Sequence, residues 1–198
     1  MAHEHFHAHF QSMGLKVEFE GLEQEEEVQF NKEVIIRGWN EGLADFYAYV
    51  YTGRAEFMTV SLSDQARRKL TQETLPLRDK DSLYQAFREY DARDGNVLGC
   101  LSYPMGTQIA TFLYNIVQLE VEGTESENAK MWMERIFNAL KGKPQVLAAS
   151  VETLEPKLIM EWIFNDETQL NHQQTELLQK FTTEAPYVEI RRAYPCRR

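Results

Sequence analysis

Four histidines alternate along the start of the chain: His3, His5, His7 and His9, separated by Glu4, Phe6 and Ala8. In an extended strand side chains repeat every two residues, so all four imidazoles would share one face. Neutral imidazole is a good ligand for zinc, nickel or copper. Wound as a helix, His3-Glu4-His5-Phe6-His7 instead matches the H-E-x-x-H pattern of zinc hydrolases. That pattern begins at residue 3, where a helix frays, and a metal centre needs rigid support around its ligands. The stretch as far as Phe10-Gln11-Ser12, just before Met13, also has the look of a purification leader. The expectation is therefore that residues 1–12 are a leader or a disordered terminus. Any zinc or nickel held by His3, His5, His7 and His9 would then be adventitious, with no resident cofactor.

Little else in the chain has the types and spacing of a catalytic apparatus. With the first histidines set aside only His172 remains, and it lies about 200° around a helical wheel from Leu170, pointing to solvent. Cys100, within Val97-Leu98-Gly99-Cys100-Leu101, reads as a small core residue. Cys196, next to Arg197, reads as a chance thiol. Two cysteines are too few for a disulfide framework or a zinc ribbon. The phosphate-binding G-x-x-x-x-G-K-[ST], the dinucleotide G-x-G-x-x-G, the redox C-x-x-C and the esterase G-x-S-x-G are all missing from the sequence.

Charge points elsewhere. The chain has 31 acids against 21 bases and a formal net charge of −10. A general nucleic-acid binder needs a basic face that displaces counterions from phosphates, so this balance argues against one. The acid is concentrated: Glu18, Glu20, Glu23, Glu25, Glu26 and Glu27 fall within one short run, whereas Arg191, Arg192, Arg197 and Arg198 close the chain. Like charges at that density repel one another, and a basic partner would relieve the repulsion and be steered toward the run. The plain alternative is a solvated surface that keeps the protein soluble.

The elements that would position these groups are clearest in the C-terminal part. Thr124-Glu125-Ser126-Glu127 is a capping box. After it Ala129, Trp132, Met133, Ile136, Phe137 and Leu140 recur at helical spacing, and Gly142 and Pro144 stop the run. The pattern predicts a helix over 124–141 with Trp132 buried. Val117, Leu119 and Val121 alternate with polar residues as a strand would, as do Leu158, Met160, Trp162 and Phe164. Residues 145–150 and 187–190 read as further strands, and a second helix is expected over 166–184, capped by Asp166. The order strand, helix, strand, strand, helix, strand is that of a ferredoxin-like sheet.

Toward the N-terminus, residues 15–20 and 28–37 have strand character, the second through Val34, Ile35 and Ile36. Residues 45–51 and 55–63 flank Thr52-Gly53-Arg54 and read as a β-hairpin. On its first arm Tyr47, Tyr49 and Tyr51 would share one face, a candidate aromatic contact surface. Helices are expected over 63–73 and 82–94, while 103–118 fits helix or strand.

The fold class expected is therefore α+β. An N-terminal hairpin and helices (13–116) would pack on a C-terminal ferredoxin-like subdomain (117–198) as one compact unit. The function expected is that of a non-catalytic acidic binding protein of inhibitor, immunity, chaperone or anti-defence type. It would dock on a basic protein through Glu23, Glu25, Glu26, Glu27, Tyr47, Tyr49 and Tyr51, with no direct nucleic-acid binding. The alternative is a small enzyme or metal-dependent protein built on the N-terminal histidines or on a carboxylate cleft. No apolar run approaches the length of a membrane helix and no secretory signal is visible, so a cytoplasmic protein is expected.

Overall fold

The computed structural model describes residues 2–12, 26–56, 69–71, 97–141, 143, 157–165 and 170–183. These residues form six helices: α1 (Ala2–Ser12), α2 (Glu26–Thr52), α3 (Val97–Gln118), α4 (Glu125–Leu140), α5 (Leu158–Ile163) and α6 (His172–Thr182). There is no strand among them. The α+β expectation, with its hairpin and its ferredoxin-like subdomain, is thereby corrected to a helical packing of the described residues.

Each misplaced strand has a physical explanation. Residues 28–37 and 45–51 are both part of α2, whose Val34, Ile35, Ile36, Phe46 and Tyr49 are buried. Their β-branched and aromatic side chains favour strands only weakly, and packing overrides a preference of that size. Val117 is the buried end of α3, and Val121 is an exposed residue after it rather than a strand position. Residues 158–163 are the short helix α5, which buries Ile159, Met160 and Ile163 at helical spacing. The stretch 103–118 is helical throughout. The strands expected at 15–20, 145–150 and 187–190 lie outside the described residues. So do most of the second hairpin arm and of the helices expected at 63–73 and 82–94.

α2 and α3 form the main packed pair. They approach closely because glycines line the crossing. A Cβ added to Gly42 would lie 2.6 Å from the Gly106 carbonyl oxygen, and one added to Gly106 would lie 2.9 Å from the Gly38 carbonyl oxygen. Only glycine permits backbones so near.

α4 begins as expected. The Thr124 hydroxyl accepts from the Glu127 backbone N–H, and the Glu127 carboxylate accepts from the Thr124 backbone N–H. The Thr124 backbone N–H and hydroxyl, both donating to the Glu127 carboxylate, hold that carboxyl below its ordinary pKa. Trp132 is buried in the core, its ring centroid 5.3 Å from that of Phe164 beside α5. Phe112 of α3 stacks on Phe181 of α6 at 4.3 Å. α6 is capped by Asn171, not by Asp166, because Asn171 and Gln174 form the reciprocal pair of backbone hydrogen bonds. Asn171 also donates to the Leu119 carbonyl, and Gln174 to those of Ile116 and the Glu120 side chain. The carbonyls at the C-terminal end of α3 are thereby satisfied by the start of α6.

Candidate metal centre

α1 divides its histidines between two faces. Positions 3, 6, 7 and 10 follow the i, i+3, i+4, i+7 spacing of one helical stripe. Phe6 and Phe10 are buried, His3 is buried and His7 is half-buried. His5 and His9 fall on the opposite side, exposed and stacked on each other at 4.6 Å. The inward stripe packs on α2, where Glu41 and Asp45 stand one helical turn apart.

The four groups converge. His3 Nε2 and His7 Nε2 are 2.9 Å apart. Glu41 straddles them, with Oε2 3.4 Å from His3 Nε2 and Oε1 3.6 Å from His7 Nε2. Zinc binds imidazole and carboxylate at about 2.0–2.2 Å, which places two ligands of one ion about 2.8–3.6 Å apart for angles of about 90–110°. His3, His7 and Glu41 have that spacing, and they are the group of potential metal ligands found among the described residues.

The far side of each ring is also engaged. His7 Nδ1 donates to Asn40 Oδ1 at 2.9 Å. His3 Nδ1 lies 2.9 Å from Asp45 Oδ1, an ion-pair contact without hydrogen-bond geometry, and Asp45 is fully buried. An ionised carboxylate offers only lone pairs, so both partners favour the proton on Nδ1. Both Nε2 lone pairs then point toward the same place, beside the Glu41 carboxylate. Two lone pairs at 2.9 Å repel unless a cation, either a proton or a metal ion, lies between them. An imidazole anchored by a carboxylate or an amide through its second nitrogen is the support that metal-binding histidines usually have.

Glu41 is held in place from the opposite side by α3. A Cβ on Gly106 would sit 2.8 Å from Glu41 Cβ as well as against the Gly38 carbonyl. Gly106→Ala should therefore separate the helices, with a cost of about 1–3 kcal/mol, and weaken zinc binding by moving Glu41. Urea unfolding and a zinc titration on the same variant check both. Unchanged stability would show that the crossing relaxes freely.

The other candidate residues are dispersed. Tyr47 is half-buried in an aromatic cluster with Phe6, His5 and Phe137. Tyr49 is buried and donates to Glu125 Oε1 at 2.6 Å; burial, reinforced by that carboxylate, pushes its phenol well above the ordinary value. Tyr51 is 76% exposed. The three tyrosines share no face, because α2 turns by about 100° per residue. Glu23 and Glu25 lie outside the described residues, and Glu26 and Glu27 belong to the first turn of α2. His172 is exposed at the start of α6, 3.6 Å from Glu176. Cys100 belongs to α3, and Cys196 lies outside the described residues.

Sequence reasoning missed Glu41, Asp45 and Asn40. The signal was present in two parts: Phe6 and Phe10 in register with His3 and His7, and two carboxylates four residues apart. Only the docking of α1 on α2 joins them. No protein-family model, curated protein or solved structure matches the chain.

Proposed function

We propose that this is a metal-dependent protein in which His3, His7 and Glu41 hold one divalent first-row transition ion. The observation behind the reading is the convergence of two Nε2 atoms and a carboxylate, with His7 hydrogen-bonded behind by Asn40 and His3 backed by the buried Asp45 carboxylate. Nitrogen and oxygen donors suit zinc, iron, cobalt or nickel better than magnesium or calcium. Three protein ligands also leave coordination positions for water or a substrate, as catalytic centres do and closed structural sites do not. The chemistry available at such an ion is activation of a bound water or polarisation of a bound carbonyl.

The test is a titration of the full chain with zinc and with cobalt(II). One ion per chain should bind, and cobalt(II) should show the absorption bands of a low-symmetry N/O site. Binding that vanishes in His5→Ala/His9→Ala but persists in His7→Ala would place the ion on the exposed pair and refute the assignment.

Docking on a basic protein through Glu23, Glu25, Glu26 and Glu27 is a separate reading, supported by the net charge of −10. The salt dependence of association after their replacement by glutamine is the measurement that decides it. No helix among the described residues is long and apolar enough to cross a membrane.

A further inference from the structure

We infer that the ion clamps α1 onto α2, so that metal occupancy controls whether α1 is docked. This rests on the metal reading above. The ligands are split between elements: His3 and His7 come from α1, while Glu41 and both supporting groups, Asn40 and Asp45, come from α2. An ion bound to all three ligands is a cross-link between the two helices.

Among the described residues, the apolar hold on α1 is narrow. It is 11 residues long, below the roughly 12–15 that give even marginal helicity in isolation. Its fully buried apolar side chains are Phe6 and Phe10. Glu4, His5, Ala8, His9, Gln11 and Ser12 are exposed. Beyond α2 its aromatic contacts are to Phe137 of α4.

The polar half of the interface also favours release when the ion is removed. Docking buries this imidazole pair beside Glu41 and the fully buried Asp45, with His3 Nδ1 and Asp45 Oδ1 in contact without hydrogen-bond geometry, an arrangement that a cation relieves. The undocked helix keeps only the His3 and His7 pair and binds the ion more weakly. By linkage the ion then shifts α1 toward the docked state. The protein would report metal availability by presenting or withdrawing its first helix.

Hydrogen exchange of the full chain, followed by mass spectrometry over residues 2–12, tests this with zinc alone as the probe. Free zinc at about one hundred times its Kd should slow exchange of the α1 amides by up to about 100-fold relative to protein in chelator. The protection should be lost in Glu41→Gln and in His7→Ala, and retained in His5→Ala/His9→Ala. Stoichiometric zinc binding with α1 exchange unchanged would overturn the clamp and leave the metal site standing. Exchange of α1 in chelator as slow as that of α4 would overturn it in the same way. A chain that binds no zinc would remove the metal reading and the clamp together.

Discussion

His7→Ala should lower zinc affinity by more than about 100-fold if His7 is a direct ligand. Loss of a group that only supports a metal ligand typically costs 10–100-fold. His7 is placed as a direct ligand, so its loss should exceed that range. Asp45→Asn, which touches only the far side of His3, should fall within it. The histidine change is a clean one. Alanine has the highest helix propensity, and His7 is half-buried rather than deep in the core, so the substitution removes little besides the imidazole. His3→Ala is less clean because it strips the imidazole from the fully buried Asp45. A competition titration against a chromophoric chelator gives the affinities. Equal affinity in wild type and His7→Ala would mean that the two imidazoles share a proton and not an ion.

Trp132→Ala should destabilise the protein by about 3–5 kcal/mol, the usual range for emptying a large aromatic site. Trp132 is 1% exposed, and its ring lies against Phe164 and 4.7 Å from the Arg135 guanidinium. Its indole N–H donates to Glu120 Oε1 at 2.7 Å, the same oxygen that accepts from Gln174. Alanine removes the ring and leaves Glu120 with one donor fewer. Trp132→Phe separates the two effects, since it keeps most of the packing and loses only the hydrogen bond, which contributes about 1–3 kcal/mol when the acceptor is charged. Urea unfolding of both variants is the measurement. A loss below about 1 kcal/mol for Trp132→Ala would mean that the stripe of α4 packs against nothing that matters.

Legibility varied with how local the signals were. α4 could be read completely because everything that makes it a helix lies within it: the capping box at one end and an unbroken apolar stripe that ends at Leu140. The body of α6 could also be read, but not its start. Asp166 and Gln169 have the same cap spacing as Asn171 and Gln174, and the choice between them depends on the Leu119 and Ile116 carbonyls of α3. α2 misled for the opposite reason. It is buried along much of its length between α1 and α3, so Val34, Ile35, Ile36, Trp39, Leu43 and Phe46 do not reduce to one narrow stripe. What remains visible is their strand-like composition. α5 is six residues of mostly apolar side chains, a length at which periodicity cannot separate helix from strand.

The amino-acid sequence by itself determined α4, the burial of Trp132, the acidic balance and the presence of imidazoles near the N-terminus. Each depends on composition or on spacing within one helix, where covalent geometry settles what is near what. Helix formation at the N-terminus decided which histidines meet, and tertiary structure alone decided what they meet. The helical period pairs His3 with His7 and turns His5 and His9 away, and packing on α2 brings in Glu41, Asp45 and Asn40 from more than thirty positions along the chain. A three-ligand site across two helices needs both angular register and docking. Docking in turn depends on buried contacts, Phe6 and Phe10 on one side and the glycine crossing of α2 with α3 on the other, that no single segment carries.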